Sequence, residues 1–410
     1  MPTLLSINNY YYRRGGAEAV FLDHNDLFAE LNWDIVPFCM QHPSNLPSPW
    51  SPHFVEEIEF GAQYSVLQKL VRVPKVIYSL EARRKLDSLL SKIKPDVCHA
   101  HNIYHHISPS ILGLLKRRGI PTFLTLHDLK IACPAYKMLS HDGVCERCKN
   151  GQLFEVVKHR CLKSSLGLSA IAYLEAVVNR SLRSYQDNVH RFVVPSRFYI
   201  QKLIDWGWDP AHFAHVPNFV RAKDLQPDYT PGRKLLYFGR LGHEKGLHTL
   251  IRACALTKAG LRIVGTGPEE ASLRALAATL GTNVEFAGYK TGKDLYDEVR
   301  MARAVVLPSE WYENAPISLM EGYALGKPAI GARIGGITEM IREDETGKTF
   351  VSGDADSLAE AISEFLNLPD SRLEEMGRLA RQWMEADFSP DAYRGRILAL
   401  YQEAARIPLS

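Results

Sequence analysis

The stretch KLLYFGRLGHEKG, residues 234–246, combines a predicted strand, a glycine-rich loop and the start of a helix. Its apolar run has the length and composition of a buried strand, and three glycines follow within the next eight residues. Glycine lets the backbone approach a ligand closely, and Arg240 and Lys245 place two positive charges in the same loop. The stretch therefore predicts either a phosphate site at the end of a strand or a solvated surface loop.

Short apolar strands alternate with helices on both sides of this stretch. Such alternation predicts parallel sheets covered by helices on both faces, and here it predicts an α/β protein of two doubly wound, Rossmann-like domains. The segment 216–233 is rich in proline and polar residues, and we interpret it as a linker. The predicted parts are a domain 1–215, a domain 216–385 that begins with this linker, and a capped C-terminal helix 386–410. Ligands of parallel sheets bind beyond the carboxyl ends of the strands, so chemistry is expected in the loops that follow strands.

The composition of the 410-residue chain is that of a globular protein, with 46% hydrophobic residues and a net charge of +3. This near-neutral charge argues against a protein that binds nucleic acid. The first residues lack the charged leader and apolar run of a signal peptide, and no uncharged apolar stretch is long enough for a membrane span. We therefore expect a cytoplasmic protein, and seven cysteines, an odd number, argue against a disulfide framework.

Two further glycine loops follow predicted strands of the second domain, VGTGPEE at 264–270 and AGYKTG at 287–292. The acidic pair in the first loop would stabilise the following helix through its dipole and would repel a phosphate. We therefore expect the loop at Gly267 to hold a nucleobase rather than a diphosphate. Tyr289 in the second loop could flank the same ring, although tyrosine is as often a core or surface residue.

The segment SEWYENAPISLMEG, residues 309–322, carries Glu313 and Glu321 on either side of a proline. Pro316 predicts the start of a helix, and eight residues along a helix separate two carboxylates by roughly 12 Å. Glycosidases hold their paired carboxylates roughly 5–9.5 Å apart. The two glutamates are better placed to hold hydroxyl groups on both sides of a phosphate at the helix N-terminus. The alternative is that Glu313 is an ordinary loop residue, that Glu321 is an exposed helix residue, and that neither contacts a ligand. The predicted contacts at this terminus are Asn314, Ala315, Pro316 and Ile317.

Taken together, FGRLGHEKG, VGTGPE, FAGY and LPSEWYENAPISLMEGYALGKPAI resemble, in this order and spacing, the retaining glycosyltransferases of family 4. The resemblance runs through nearly the whole chain. It implies the GT-B fold, in which two Rossmann-like domains face each other across a cleft. The first domain would lie on the acceptor side, the second would bind a nucleotide-sugar, and the C-terminal helix would cross back to the first domain.

The resemblance also implies roles for individual residues of the second domain. Arg240 and Lys245 would contact the diphosphate of the donor. Glu313 would hold hydroxyl groups of the donor sugar, and Glu321 would hold those of the ribose. The two later glycine loops would frame the nucleobase.

Two motifs of the first domain also match the family. The turn RRGGAE matches its N-terminal glycine loop, so the backbone at Gly15 and Gly16 would approach the donor phosphate or sugar. LTLHD matches the strand end where the family has a histidine near the transferred sugar, which is His127 here. Alone, a strand-end histidine is more often a hydrogen-bonded core residue. Further histidines crowd one nearby loop and are assigned to the interdomain cleft: His99, His101, His105 and His106.

The mechanism that the resemblance implies is front-face transfer with retention of configuration. Arg240, Lys245 and the helix N-terminus would stabilise the charge that develops on the leaving diphosphate, in place of a metal ion. We therefore expect no catalytic metal, and activity without an added divalent cation.

The segment 130–165 is a cysteine-rich insertion that carries Cys133, Cys145, Cys148 and Cys161. A C-x2-C pair flanked by one cysteine on each side predicts a structural zinc site in a reducing compartment. A bound metal would explain how so long a loop keeps its shape. The alternative is four free thiols.

The segment 68–94 contains eight Lys or Arg and two Asp or Glu, interleaved with apolar residues. A basic amphipathic helix of this kind can lie on an anionic membrane, and a solvated helix face is the alternative. Members of the family often act on lipid-linked acceptors. A peripheral contact with the inner face of a membrane therefore stays open.

The sequence thus predicts a glycosyltransferase that moves a hexose, from UDP-glucose or a similar nucleotide-sugar, to a sugar or lipid-linked acceptor in polysaccharide biosynthesis. The alternatives on the same fold are a nucleotide-sugar epimerase and a non-catalytic protein that binds a sugar nucleotide. The donor base, the donor sugar and the acceptor stay open.

Overall fold

The computed structural model describes residues 1–58, 66–140 and 143–405, and the side chains of all of these except 66–71. The chain divides into two compact units. Unit 1 comprises Met1–Ser140, Cys145–Val216 and Arg394–Ser410, and unit 2 comprises Pro217–Tyr393 with His141–Val144. Each unit contains a six-stranded sheet in which every strand pair is parallel. The predicted α/β architecture of two doubly wound sheets is confirmed.

The sheet of unit 1 is built from strands that are apolar and almost entirely buried. The strands of this part of the chain are β1 Thr3–Ile7, β2 Asp34–Phe38, β3 Val97–Ala100, β4 Thr122–Thr125, β5 Leu139–Ser140, β6 Gly143–Val144, β7 Arg191–Val194 and β8 Phe213–His215. The sheet has the order β2-β1-β3-β4-β7-β8. Burial along β1, β3, β4 and β7 is nearly continuous, as expected where helices cover both faces of a parallel sheet.

Serine caps determine where several helices of unit 1 start. The helices are α1 Gly16–Ala29, α2 Val66–Ile77, α3 Leu80–Leu90, α4 Leu112–Arg117, α5 Glu155–Lys158, α6 Leu166–Ser181 and α7 Arg197–Asp205. The side-chain oxygens of Ser79, Ser165 and Ser196 accept the N–H groups three residues further on, at the starts of α3, α6 and α7. Such caps satisfy backbone donors that the helix itself leaves unpaired.

A buried group of polar aromatic residues lies in the core of unit 1. His99 is fully buried within β3, and the structure thus places it in a strand rather than in a loop. Its Nδ1 lies 2.5 Å from the hydroxyl group of Tyr401, and its Nε2 lies 2.7 Å from the hydroxyl group of Thr125. The Tyr401 hydroxyl also lies 3.2 Å from Nε2 of His24 in α1. The C-terminal helix, Pro390–Ala405, therefore contributes to the core of unit 1 through Tyr401.

The sheet of unit 2 has an apolar cluster on each face. Its strands are β9 Lys234–Phe238, β10 Leu261–Val264, β11 Val284–Phe286, β12 Ala302–Leu307, β13 Ala329–Ala332 and β14 Gly347–Phe350, in the order β11-β10-β9-β12-β13-β14. Leu235 and Tyr237 of β9 belong to one cluster, and Leu236 and Phe238 belong to the other. The remaining helices are α8 Leu247–Thr257, α9 Glu270–Thr279, α10 Gly292–Arg300, α11 Ile317–Ala324, α12 Ala355–Asn367, α13 Asp370–Asp387 and α14 Pro390–Ala405.

The segment 216–233 was interpreted from composition as a linker, and from Pro217 onward it belongs to unit 2. Val220 and Ala222 are buried in one of its apolar clusters. The N–H group of Val220 donates to the carbonyl oxygen of Phe388 at 2.9 Å. The N–H group of Gly232 likewise donates to the carbonyl oxygen of Ala302 at 3.1 Å, so buried apolar side chains and backbone hydrogen bonds together fix this polar segment to the unit.

None of the helices that the structure describes combines the length and the apolar composition that crossing a membrane requires.

Candidate functional site

The loops at the carboxyl ends of the strands of unit 2 contact one another directly. A Cβ atom on Gly265 would lie 1.9 Å from the carbonyl oxygen of Gly239, and the Gly265 N–H donates to the oxygen of Gly288 at 2.7 Å. A Cβ atom on Gly246 would lie 1.9 Å from the carbonyl oxygen of Pro308. Larger residues would clash at both positions. The loops after β9, β10, β11 and β12 therefore form one continuous surface, here called the strand-end edge.

Lys245 and Glu313 form an ion pair on the strand-end edge. The Nζ of Lys245 lies 2.6 Å from Oε1 of Glu313, which also accepts a hydrogen bond from the Ser309 hydroxyl at 2.8 Å. The same Nζ lies 5.2 Å from the ring centroid of Trp311, within cation–π range. Glu313 is buried, whereas the Lys245 side chain is 23% exposed. An ammonium group has three N–H donors, so Lys245 can bind a further acceptor from the solvent side.

The carboxyl group of Glu313 is ionised at neutral pH. Burial alone would raise its pKa, but Lys245, Trp311 and Ser309 together lower the pKa below the ordinary value. The neighbouring Asn314 is buried as well. An ionised carboxylate accepts hydrogen bonds and has no proton to give, so Glu313 is suited to holding hydroxyl groups and unsuited to general acid catalysis.

Arg240 lies on the same loop as Lys245 but faces solvent. Its side chain is 62% exposed, and its Nη1 lies 3.4 Å from Oε1 of Glu244, which is long for a hydrogen bond. The Tyr237 hydroxyl donates to the carbonyl oxygen of Arg240 at 2.8 Å and holds the backbone in place. A phosphate group at this loop would meet an exposed guanidinium and a half-buried ammonium group.

The residues that hold Glu313 were not predicted from the sequence. Gly335 follows β13 with a φ of 57°, and a Cβ atom there would lie 2.5 Å from the carbonyl oxygen of Glu313. The N–H of Gly336 donates to that same oxygen at 2.8 Å. The feature of the sequence that could have indicated this contact is the glycine pair itself, which follows a predicted strand. Ser309 and Trp311, which contact the ion pair, were present in the motif but were given no role.

Helix α11 starts at Ile317, and Pro316 is its N-cap residue in an extended conformation. Pro316 was predicted in the first turn, so it lies one position earlier than expected. The carbonyl oxygen of Ala315 accepts a hydrogen bond from the Asn218 side chain at 3.3 Å. Glu321 lies within α11 and is half-buried. The first N–H groups of a helix lack partners within the helix, so this terminus can attract an anion.

The two positions predicted at a nucleobase differ in their surroundings. A Cβ atom on Gly267 would lie 2.3 Å from the carbonyl oxygen of Leu241, so this glycine is required where two loops of the edge pack together. Tyr289 is 72% exposed. Its ring is therefore accessible to a planar ligand.

Gly15 and Gly16 lie at the start of α1 in unit 1. Gly15 is extended and precedes the helix, and Gly16 is the first helical residue. Both are exposed, which leaves the backbone there accessible, as the predicted ligand contact requires. The guanidinium group of Arg14 lies 4.4 Å from the ring centroid of Tyr10.

His127 follows β4 in unit 1 and contacts a second histidine. Its Nε2 lies 2.9 Å from Nδ1 of His101, and the two rings stack with centroids 5.1 Å apart. The ring of His101 stacks in turn on His99, with centroids 5.0 Å apart. Burial lowers the pKa of His127 to about 4, so its ring is uncharged at neutral pH. It can exchange a hydrogen bond with a hydroxyl group but carries no positive charge.

Two family models match the chain. The model described as Glycosyltransferase Family 4 matches residues 14–224, and the model described as Glycosyl transferases group 1 matches residues 223–383. The first match alone covers half of the chain. The chain belongs to glycosyltransferase family 4. The whole strand-end edge of unit 2 lies within the second match, and the resemblance seen in the motifs is confirmed.

Curated relatives of this family 4 chain include enzymes of polysaccharide synthesis. Glycogen synthase of Mycobacterium tuberculosis is 31% identical over 325 residues, which cover 76% of this chain and 70% of that protein. The putative colanic acid biosynthesis glycosyltransferase WcaL of Escherichia coli is 31% identical over 208 residues, which cover 48% of this chain and 49% of WcaL. The chain thus spans about half the length of WcaL.

Solved structures resemble the family 4 chain along nearly its whole length. Sucrose-phosphate synthase of Thermosynechococcus elongatus matches with a TM-score of 0.70 and 19% identity, over 98% of this chain and 99% of that one. The Anabaena protein HepE, solved in complex with UDP and glucose, matches with a TM-score of 0.69 and 13% identity, over 98% and 100%. At these identities the similarity shows the fold, which is GT-B.

None of the four cysteines of the insertion in this family 4 chain forms a disulfide, and their side chains lie close enough to influence one another. Burial and then the charges of Cys133, Cys161 and Cys145 raise the pKa of Cys148 to about 12. Within the described residues, no three His, Cys, Asp or Glu side chains are arranged to hold a metal ion. The structural zinc site stays a prediction. Elemental analysis should find about one zinc per chain, and folded protein without zinc would contradict it.

The basic segment 68–94 forms two helices rather than one. Helix α2 ends at Ile77, and α3 starts after the cap residue Ser79. The Nζ of Lys75 pairs with Glu56 at 2.8 Å and with Glu81 at 2.6 Å, which neutralises part of the basic charge. The side chains of 68–71 lie outside those described. Contact with a membrane stays a prediction.

Proposed function

We propose that this chain is a retaining glycosyltransferase that moves a hexose from a nucleotide-sugar to a sugar or lipid-linked acceptor in polysaccharide biosynthesis. The observation that carries the proposal is the Lys245–Glu313 pair on the strand-end edge of unit 2. The family supports the reaction class, and the relatives named for colanic acid and glycogen synthesis support the process.

The diphosphate of the donor binds to the positive groups of the strand-end edge. Arg240 reaches it from solvent, Lys245 offers its remaining N–H donors, and the N-terminus of α11 adds backbone amides. As the bond to the sugar breaks, negative charge grows on the leaving diphosphate. Donors that are already in place stabilise this charge without reorganisation. Because these protein groups supply the positive charge, turnover requires no added divalent cation.

Glu313 holds hydroxyl groups of the transferred sugar. Its carboxylate is ionised and is held at one oxygen by Lys245 and Ser309, so it acts as an acceptor of fixed position. Glu321 takes the hydroxyl groups of the ribose, and the loops at Gly267 and Tyr289 take the base. UDP-glucose is the first donor to test, because the similar protein HepE was solved with UDP and glucose.

The first experiment is a thermal-shift screen of UDP-, GDP- and ADP-sugars, since a ligand that binds the folded state raises its stability by mass action. Turnover of the best donor is then measured in EDTA, and NMR determines the anomeric configuration of the product. Lys245→Ala and Glu313→Ala are expected to abolish both the rise in melting temperature with the donor and the turnover. Lys293→Ala is the control, because Lys293 is an exposed residue of α10 that pairs with Asp297 at 2.7 Å. Failure of every donor to raise the melting temperature, or turnover that only magnesium or manganese restores, would overturn the proposal.

The two alternatives predict different products. An epimerase would convert the nucleotide-sugar without an acceptor, and it needs a group that donates a proton; the ionised Glu313 is unsuited to this step. A non-catalytic binding protein would be stabilised by the donor but would release no nucleoside diphosphate, even slowly to water. Product analysis by chromatography separates the three cases.

A further inference from the structure

Helix α6 of unit 1 presents an apolar face to solvent. Its buried side chains recur at intervals of three or four residues and therefore lie on one side of the helix: Ser169, Ala172, Glu175 and Asn179. On the opposite side, the side chains of Leu166 and Leu174 are 55% and 46% exposed. A helix that packs on a globular core normally directs polar residues outward, so the composition of this outer side indicates a binding surface.

The apolar surface extends from α6 onto the cysteine-rich insertion. Leu166, Ala170 and Leu174 follow one another at intervals of four residues, which places them in one stripe along the helix. Tyr173 borders this stripe, and its ring packs edge-on against that of Phe154, with centroids 5.5 Å apart. Phe154 is itself 59% exposed. These five residues are here called the α6 face. We propose that the α6 face rests on the surface of an anionic lipid bilayer, with the helix parallel to the membrane plane.

The chain around the α6 face is basic. Residues 147–183 contain seven Lys or Arg and two Glu. Of the two carboxylates, Glu175 is buried, and Glu155 lies 3.6 Å from the ammonium group of Lys158. An apolar surface in positively charged surroundings is complementary to an anionic bilayer, which presents phosphate groups above an apolar interior.

Exposed cations lie directly beside the α6 face. Lys158 follows Phe154 by one helical turn, and its side chain is 65% exposed. Arg180 follows Tyr173 by two turns on the same side of α6 and is also exposed. Helix α2, in the basic segment 68–94, ends against α6, so the segment that was predicted to contact a membrane adjoins this helix. Lipid phosphates bind these cations while the apolar side chains enter the boundary between headgroups and acyl chains.

Charge distinguishes the bilayer from other occupants of the α6 face. In a dimer formed through this face, the basic borders of two copies would meet and repel each other. A nucleic acid would bind the cations but would leave Leu166 and Leu174 in water. From the sequence, membrane contact was predicted for 68–94 alone, and α6 was given no role. The α6 face shares no residue with the strand-end edge of unit 2, so this inference does not rest on the proposed function.

Flotation of the full chain with lipid vesicles tests the proposal. Vesicles of equal parts phosphatidylcholine and phosphatidylglycerol should carry the chain, and vesicles of phosphatidylcholine alone should carry much less of it. Leu174→Glu and Leu166→Glu are each expected to weaken binding about tenfold or more, because a charge replaces an apolar side chain that enters the bilayer. Leu174→Phe should retain binding, since it keeps the apolar surface. Two separate glutamate variants keep the test valid if one of them fails to fold, which the melting temperature reveals.

Matched control variants come from unit 2. Leu256 of α8 is 60% exposed, so Leu256→Glu introduces the same charge at an equally exposed leucine and should leave binding unchanged. Lys158→Glu should weaken binding about fivefold or more through lost attraction to the phosphates. Lys293→Glu is its control, because Lys293 is likewise an exposed helical lysine that pairs with a nearby carboxylate, and it should have no effect.

Three results would overturn the proposal. The first is that anionic vesicles do not carry the unaltered chain. The second is that Leu174→Glu and Leu256→Glu bind alike, since the membrane contact would then lie elsewhere, as in the segment 68–94. The third is a dimer in light scattering that Leu174→Glu converts into monomers, which would assign the α6 face to a second copy. These measurements contain no nucleotide-sugar, so failure of the proposed function would not affect them.

Discussion

The rings of His101 and His127 share a hydrogen bond of 2.9 Å, and the far nitrogen of His101, its Nε2, is buried without a partner among the described residues. A buried N–H without an acceptor is more costly than a buried ring nitrogen without a donor. We therefore assign the proton of His101 to Nδ1, from which it is donated to Nε2 of His127. Since burial keeps His127 neutral, its own proton lies on Nδ1.

We predict that 15N NMR of histidine-labelled protein at pH 7 will find His127 in the Nδ1–H form. His101→Leu removes the donor, so the Nε2–H form of His127 should appear in the spectrum. His101→Asn is the control, because its amide N–H can occupy the position of Nδ1 and should preserve the assignment. Detection of His127 as the Nε2–H form in the unaltered protein would contradict the assignment.

The stability of unit 1 should decrease in mild acid. Burial lowers the pKa of His24 and His106 to about 3 and that of His127 to about 4, from 6.5. Below pH 6.5 the unfolded chain binds protons at these rings and the folded unit does not, so the free energy of unfolding falls until about pH 4. Each ring lowers the free energy of unfolding by up to about 1.4 kcal/mol for each pH unit of acidification. Asp128, whose pKa burial raises to about 6, acts in the opposite direction between about pH 4 and 6, and so do Glu18 and Glu175, whose pKa values burial also raises. The histidines outweigh these carboxyl groups, because burial also lowers the pKa of His99, His101 and His105 well below 6.5.

Hydrogen exchange measured at pH 7, 6 and 5 checks this prediction strand by strand. After correction for the intrinsic exchange rate, the protection of amides in β3 and β4 should fall with pH. Amides of β9 in unit 2 serve as the internal reference. Protection of β3 and β4 that stays constant from pH 7 to 5 would show that the histidine rings do not control stability.

Removing one partner of the Lys245–Glu313 pair should destabilise unit 2 more than removing both. Lys245→Met leaves a buried carboxylate without its cation, which costs about 3–5 kcal/mol of the free energy of unfolding. The double variant K245M/E313Q should recover part of this loss, whereas turnover should fall about 100-fold or more in every one of these variants. Denaturant unfolding and steady-state kinetics measure the two quantities. If the loss of stability in the double variant equals the sum of the losses in the two single variants, the two residues are not energetically coupled.

The backbone contact between Gly335 and Glu313 can be tested with a second glycine of similar conformation. Gly335 has a φ of 57° and Gly281, between α9 and β11, has a φ of 61°, but within 4 Å of a Cβ atom on Gly281 the described residues place nothing. Both alanine variants therefore introduce the same backbone strain, of about 1–2 kcal/mol, and Gly335→Ala alone adds the clash. Gly335→Ala should lower both turnover and the melting temperature, and Gly281→Ala should leave turnover unchanged. Equal turnover in the two variants would exclude a role for the contact.

The sequence predicted the strand-end edge better than the contacts within it. The apolar strands and their glycine loops can be recognised from local patterns, and these patterns correctly indicated two parallel sheets. From the sequence, Lys245 was predicted to contact a diphosphate and Glu313 a sugar, as separate contacts. Their ion pair depends on how two loops 68 residues apart pack together, and no local pattern encodes that. The role of Gly335 depends on the same packing.

The histidines of unit 1 show a second limit of the sequence. Their spacing suggested one crowded loop, but His99 belongs to a strand and pairs with Tyr401, 302 residues further along the chain. A polar side chain is tolerated in a core when another group satisfies its hydrogen bonds. That group can come from any part of the chain, so local composition could not identify it.

The hydroxyl group of Tyr401 has a consequence for how the protein is made. When the ribosome translates residues 217–393, His24 and His99 have already been synthesised. Tyr401, whose hydroxyl group contacts a ring nitrogen of each, has not yet been added to the chain. Unit 1 therefore cannot complete its interior until translation has passed Tyr401. A chain truncated just before Tyr401 would contain every residue of the strand-end edge. Its unit 1 would nevertheless have an incomplete core, which chaperones and proteases recognise.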